Sequence, residues 1–159
     1  MIRVEIPGRE PLDIAYVVMD YNGTVAVDGL LPDDVAERIG RLSGDVEMYV
    51  LTADTFGTVA AQCASLDVHV ETFPREGAAE CKERVVDGLL ARADGAVVCL
   101  GNGLNDIRMF DRADLSIAII GREGACAALL AHADVVVTSP VDALDLLLKP
   151  GRLKATLRS

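Results

Sequence analysis

The chain contains no tryptophan, three tyrosines, three phenylalanines and two histidines, and it has no cysteine pair at metal-binding spacing. Each shortage removes a class of function. Single-strand nucleic-acid binders stack bases on aromatic rings, and so few rings offer no such platform. Positive charge is also scarce: 15 Lys and Arg against 25 Asp and Glu leave a net charge of −10. Phosphate backbones demand a basic face, so nucleic acid is excluded as a partner. No apolar run approaches the roughly 18 residues of a membrane span, and no membrane association is expected. Met1-Ile2-Arg3-Val4-Glu5-Ile6 alternates like a strand and carries an acid where a secretory leader would be apolar. A cytoplasmic protein is therefore expected, with Cys63, Cys81, Cys99 and Cys126 reduced and mostly packing. His69 and His132 stand alone, which favours structural or surface roles.

What the chain does have is 51% hydrophobic content over 159 residues, enough for one sizeable core. Ala, Val and Leu dominate and are spread over many short runs, as a sheet covered on both faces requires. Arg3 to Ile6 can pair with Leu12 to Val18 across the turn-rich Pro7-Gly8-Arg9-Glu10-Pro11. Tyr21 to Leu31 alternates weakly around Gly23 and Asp28-Gly29, which predicts a small β-hairpin flap. Pro32-Asp33-Asp34 opens a helix that runs to about Leu42, with acids in its first turn as the helix dipole prefers. Beyond it, strands are expected at 46–51, 68–72, 96–100, 115–119 and 134–137. Helices are expected at 55–65, 78–92, 104–112, 124–131 and 141–148. Strands alternating with helices through short loops predict right-handed crossovers and a three-layer α/β domain with a doubly wound, mostly parallel sheet. One domain over residues 1–159 is expected. Lys149, Arg152, Lys154 and Arg158 make the tail locally basic, which fits a solvated terminal helix or, alternatively, a subunit contact.

Polar residues gather where those strands end. Ile14-Ala15-Tyr16-Val17-Val18-Met19 reads as a buried strand that delivers Asp20, followed by Tyr21-Asn22-Gly23-Thr24. Ligands of open α/β folds bind just outside the carboxyl ends of strands, so this carboxylate is poised to attack or hold something small. Asn-Gly is also a strong turn signal in its own right. The strand at 46–51 delivers Thr52-Ala53-Asp54, and the strand at 96–100 ends in Gly101-Asn102-Gly103-Leu104-Asn105-Asp106. Between them Lys82 lies near the start of an amphipathic stretch, a place where a lysine is ordinarily a surface residue.

In this order the four segments resemble the haloacid-dehalogenase-like superfamily of phosphohydrolases, and within it the phosphorylation domain of P-type ATPases. The matching signatures there read Asp-Lys-Thr-Gly-Thr, Thr-Gly-Asp and Gly-Asp-Gly-x-Asn-Asp, and the resemblance spans about Ile14 to Asp142. It implies that Asp20 is the nucleophile of an aspartyl-phosphate intermediate. Thr52, Ala53, the Gly23 N–H, Thr24 and Lys82 would cradle the phosphoryl oxygens. Mg²⁺ would be the cofactor, held by Asp20, the main-chain carbonyl of Asn22, Asn102 and Asp106. The substrate would be a small phosphorylated compound or an acyl-phosphate. Caps in this superfamily are inserted after the flap or between the second and third motifs. Here those intervals are roughly 27 and 29 residues, already filled by predicted elements joined by short loops, so no cap is expected.

Two positions depart from the pattern. Most phosphatases of the superfamily place a second Asp two residues after the nucleophile as general acid and base, whereas this chain has Asn22. General acid–base help is worth about 10²–10⁴-fold, so slow hydrolysis of poor leaving groups is expected. Asn102 replaces the first Asp of Gly-Asp-Gly and removes one negative charge from the metal site. The alternative to a phosphohydrolase is a catalytically weak phospho-Asp regulator or interaction module, favoured by the absent acid/base. An uncapped cleft is open to water unless a neighbouring subunit covers it, and on that ground a homo-oligomer is expected.

Overall fold

The computed structural model describes residues 1–53 and 57–159. Its framework is one seven-stranded sheet with the order β4-β3-β2-β5-β6-β7, in which β1 pairs antiparallel to β2. The strands are β1 (Ile2–Val4), β2 (Leu12–Asp20), β3 (Glu47–Thr52), β4 (His69–Thr72), β5 (Ala96–Gly101), β6 (Leu115–Ile119) and β7 (Val135–Val137). All other pairings are parallel. β1 and β3 share one edge of β2: β1 takes Leu12 to Ile14 and β3 takes Tyr16 to Asp20. The helices are α1 (Asp33–Leu42), α2 (Val59–Cys63), α3 (Ala78–Leu90), α4 (Ile107–Arg112), α5 (Ala127–Leu130), α6 (Pro140–Leu148) and α7 (Pro150–Leu157).

Side-chain alternation divides the apolar core into two layers. Val17 and Met19 of β2, Val98 and Leu100 of β5, and Ile117 and Ile119 of β6 face α1, α6 and α7. Tyr16 and Val18, Val97 and Cys99, and Ala118 face α3, α4 and α5 on the opposite side. Ile14 joins the first layer although strict alternation would put it in the second. A register shift in the β2–β5 pairing between Ile14 and Tyr16 accounts for this, because one irregular step reverses the facing of the residues before it. Burying a Val, Leu or Ile side chain stabilises a fold by about 1.5–3 kcal/mol; such residues dominate the face toward α1, α6 and α7, while the other face mixes them with Tyr16, Tyr49, Cys99 and Ala118.

Helix ends follow local chemistry. Asp33 and Asp34 lie in the first turn of α1 and Arg41 in its last, each at the pole that its charge favours. Ser139 caps α6 by accepting from the Asp142 N–H, and Pro140 occupies the first turn. The basic tail forms α7 and does not stand free of the body. Lys149 and Arg152 both reach Asp145, which also binds Arg38 of α1 at 2.8 Å. This cluster fastens the C-terminal helices to α1.

Three expectations are corrected. The flap is not a hairpin with a strand ladder: residues 21–31 form consecutive turns closed by isolated bridges Asn22–Ala26 and Val27–Leu30. It is pinned by Tyr21 Oη and Thr58 Oγ1, both donating to the Gly29 carbonyl, and by Gln62, which accepts from the Leu31 N–H. Thr58 thus serves the flap and makes no side-chain cap for α2, which is shorter than the expected 55–65; residues 55 and 56 lie outside the described residues. The helix expected at 124–131 is only Ala127–Leu130. Gly124 turns at φ +75° and the Cys126 N–H donates to the Asn102 carbonyl, so the preceding loop is drawn toward β5.

The chain leaves β2 toward β3 and β4, then crosses to β5 on the other side of β2. The crevice beside the carboxyl ends of β2 and β5 is therefore the topological switch point, where doubly wound folds bind their ligands.

Candidate active site

Asp20 is the last residue of β2 and is 8% exposed. Its Oδ1 accepts from Lys82 Nζ at 2.7 Å and its Oδ2 from Thr24 Oγ1 at 2.9 Å. Lys82 enters from the first turns of α3 and is 1% exposed. Its ammonium also donates to Asp106 Oδ1 at 2.6 Å and Asn105 Oδ1 at 3.1 Å. An ammonium has three hydrogens, and three oxygens from two strand ends take them. Two carboxylates against one ammonium leave this buried cluster one negative charge in excess.

That imbalance acts on the nucleophile. Burial first, and then the neighbouring Asp106 carboxylate, push Asp20 up to about 7, while Lys82 and Thr24 draw it partly back. Burial would lower the affinity of Lys82 for its proton, but Asp20 and Asp106 outweigh this and raise it. Lys82 is therefore a fixed cation at neutral pH.

The turn after β5 is wound around Asp106, which is fully buried. Asp106 Oδ2 accepts from the N–H groups of Asn102 and Gly103 at 3.0 and 2.9 Å. Leu104–Asp106 form a single 3₁₀ turn before α4 begins, where one continuous helix from 104 was expected. Asn102 reaches the nucleophile loop: its Oδ1 lies 3.0 Å from Thr24 Oγ1 and its Nδ2 donates to the Gly124 carbonyl at 3.0 Å. Gly23 makes this approach possible. It turns at φ +78°, and a Cβ there would come within 2.6 Å of Asn102 Nδ2.

The structure thus brings together Asp20, Asn22, Gly23, Thr24, Thr52, Lys82, Asn102 and Asp106. Asn22 Nδ2 donates to Thr52 Oγ1 at 3.3 Å, while Asn22 Oδ1 is buried without a hydrogen-bond partner among the described residues. Ala53 lines the site cavity; Asp54 lies outside the described residues. One expected donor is otherwise engaged: the Gly23 N–H donates to the Ala26 carbonyl at 3.0 Å inside the flap. Phe73 and Asn105, which received no role from the sequence, line the same cavity of about 200 Å³. The advance signal for Asn105 was its match to the Asn of the Gly-Asp-Gly-x-Asn-Asp signature in the turn after β5. His69 stacks on Tyr49, and His132 meets Asp111 at 2.6 Å; neither lines this cavity.

The donor set suits a hard cation. Among the described residues no group of three or more Asp, Glu, His or Cys side chains gathers closely enough to hold a metal, so amide and carbonyl oxygens must contribute. Asp20 Oδ2 and Asn102 Oδ1 converge on the single hydroxyl of Thr24, and no hydrogen bond among the described residues ends on the Asn22 main-chain carbonyl. Hard oxygens of this kind fit Mg²⁺, which binds through one or two carboxylates and keeps several waters.

Fold and site together define a class: the chain has a haloacid-dehalogenase-like α/β fold, with no cap domain among the described residues. Cobalt-bound deoxy-D-mannose-octulosonate 8-phosphate phosphatase from Haemophilus influenzae superposes with a TM-score of 0.71 at 16% identity, covering 92% of this chain and 94% of that one. The corresponding phosphatase from Moraxella catarrhalis, in complex with magnesium, phosphate and KDO, gives 0.69 at 15% identity over 91% and 94%. In sequence, the chain belongs to the same family as an uncharacterised protein of Methanocaldococcus jannaschii, 48% identical over 62 residues, which are 39% of this chain and 67% of the relative. It is also 32% identical to a copper-exporting P-type ATPase of Staphylococcus saprophyticus over 98% of its own length, but spans only 18% of that pump. No protein-family model matches the chain. Among the described residues no helix is long and apolar enough to cross a membrane.

Proposed function

We propose that the protein is a Mg²⁺-dependent phosphohydrolase that works through phospho-Asp20 on a small phosphorylated compound. The observation that carries this reading is the setting of Asp20: a buried carboxylate at the switch point, held by Lys82 at 2.7 Å and Thr24 at 2.9 Å. Those two contacts fix the carboxylate in one orientation, which in-line attack on phosphorus requires. The phosphatases whose fold it shares, one of them in complex with magnesium and phosphate, support the same reading.

In the first step an Asp20 oxygen bonds to phosphorus as the bond to the leaving oxygen breaks. Lys82 and Thr52 supply positive charge and a hydroxyl donor beside the transferring oxygens. A bound Mg²⁺, held by Asp20, the Asn22 carbonyl and Asn102, would supply further neutralisation of the phosphoryl charge. In the second step water attacks phosphorus, the bond to Asp20 breaks, and phosphate departs with the carboxylate restored. Among the described residues that line the cavity, Asp20 is the only acid and there is no histidine. An alkoxide leaving group therefore finds no positioned proton donor, whereas an acyl-phosphate releases a carboxylate that needs none. Acyl-phosphates and activated esters are the favoured substrates on this account.

A second reading has its own observation. With Asn22 in place of a carboxylate, phospho-Asp20 lacks a group to activate water, and a long-lived phosphoenzyme suits a regulatory protein better than a fast hydrolase. Turnover of acetyl phosphate and p-nitrophenyl phosphate with and without Mg²⁺, beside an Asp20→Asn control, tests the first reading. Hydrolysis that persists in EDTA or in the control variant refutes it.

A further inference from the structure

A second and larger cavity, of about 590 Å³, lies on the other side of the nucleophile loop. Asp20 and Asn22 line the catalytic cavity, whereas Gly23 and Thr24 line this one, and no residue lines both. Its remaining walls come from the flap, the starts of α1 and α6, and the loop after β6. Those two helices cover one face of the sheet; α3, which carries Lys82, covers the other.

The lining has the make-up of a small-molecule site. Such sites span about 300–1,000 Å³ and set a few polar groups in apolar walls. Here Val27, Leu31, Val35 and Val141 supply the apolar part. The cavity is also held open by bonds to the flap. Tyr21 Oη and Thr58 Oγ1 donate to the Gly29 carbonyl, Gln62 accepts from the Leu31 N–H, and Glu123 accepts from the Asp28 N–H at 3.2 Å. Tied to α2 and its approach on one side and to the loop after β6 on the other, the flap cannot collapse onto Val35 and Val141.

Three charged side chains complete the lining: Asp28 of the flap, Asp34 of the first turn of α1, and Arg122 of the loop after β6. All three are exposed, and among the described residues none of them forms an ion pair. The walls therefore ask for an apolar body with an ammonium for the two acids and a carboxylate for the guanidinium. A ligand with one charge alone would leave the opposite wall unmatched.

We propose that this cavity binds a small apolar zwitterion of dipeptide size, its ammonium at Asp28 and Asp34 and its carboxylate at Arg122. The site stands whether or not Asp20 takes a phosphoryl group, since the two cavities share no lining residue. Its occupant lies against Thr24, whose hydroxyl donates to Asp20 Oδ2 at 2.9 Å, so one side chain separates the ligand from the nucleophile.

Calorimetric titration of the full chain with leucyl-leucine, N-acetyl-leucyl-leucine and leucyl-leucinamide tests this, with amide NMR to locate the ligand. The free dipeptide should bind, and each blocked form, lacking the ammonium or the carboxylate, should bind at least about tenfold more weakly. Arg122→Gln should bind leucyl-leucine and leucyl-leucinamide alike. Asp28→Asn combined with Asp34→Asn should lose the preference over the acetylated form; Asn tolerates the positive φ of +50° at position 28. Shifts should fall on the amides of Val27, Arg122 and Val141. No binding at millimolar dipeptide, equal binding of free and blocked forms, or shifts confined to Phe73 and Asn105 of the catalytic cavity would overturn the proposal.

Discussion

Replacing the nucleophile should make the metal-free protein more stable. Asp20 shares a buried space with Asp106 and one lysine, and in the fold its proton is held up to about 7, against 3.8 for a free carboxyl. Between those two values the folded protein binds more protons than the unfolded chain, so its stability falls as pH rises through that window. Below the lower value both states are protonated and the penalty vanishes; above the upper value it is complete. The span corresponds to about 4 kcal/mol as an upper bound. Asn keeps an acceptor for Lys82 but forfeits a charge-assisted bond, which removes part of the gain. In EDTA at neutral pH, Asp20→Asn should therefore exceed the native protein by about 1–3 kcal/mol. The margin should shrink toward zero in acid. Urea midpoints for both proteins across that pH range measure it. An Asp20→Asn protein that is less stable than native at neutral pH, or whose margin is the same at every pH, would refute the reasoning.

Lys82→Met should have the opposite effect. It leaves two buried carboxylates without their cation, and losing one partner of a buried pair costs about 3–5 kcal/mol, read as a fall in the urea midpoint at neutral pH. Asn22→Asp should shorten the life of the phosphoenzyme by about 10²–10⁴-fold and extend turnover to alkyl phosphates; unchanged turnover on those esters would favour the regulatory reading. Leu104 is 65% exposed in the turn beside the site, and closure by a second copy would exclude water there. Sedimentation at micromolar concentration should then show an oligomer, and a monomer with full activity would rule it out.

The parallel sheet was legible because its central strands β2, β3 and β5 are short apolar runs ending in polar residues, and the three segments at those ends, with Lys82 from α3, are close in space. The flap was misread because alternation around Gly23 and Gly29 suits a hairpin as well as a series of turns. What decided between them were partners remote in sequence, Thr58 and Gln62, which hold the turns from α2 and its approach. Lys82 shows the same limit. In the sequence it is a lysine in a charged helix, and only the arrival of Asp20 and Asp106 from two different strands makes its burial tolerable. For Asp106 itself, the resemblance pointed to a metal ligand; its hydrogen bonds to the turn and to Lys82 had no signal in the sequence. Hydrogen-bond allocation of this kind is set by the fold, and no spacing rule contains it.

The central claim is that Asp20 takes a phosphoryl group. Rapid-quench incubation with acetyl phosphate and Mg²⁺, followed by peptide mass spectrometry in acid, tests it most directly. One phosphoryl group on Asp20, absent from Asp20→Asn and discharged by hydroxylamine, is the predicted result. Release of phosphate with no acid-stable adduct on Asp20 at any time point would contradict the account.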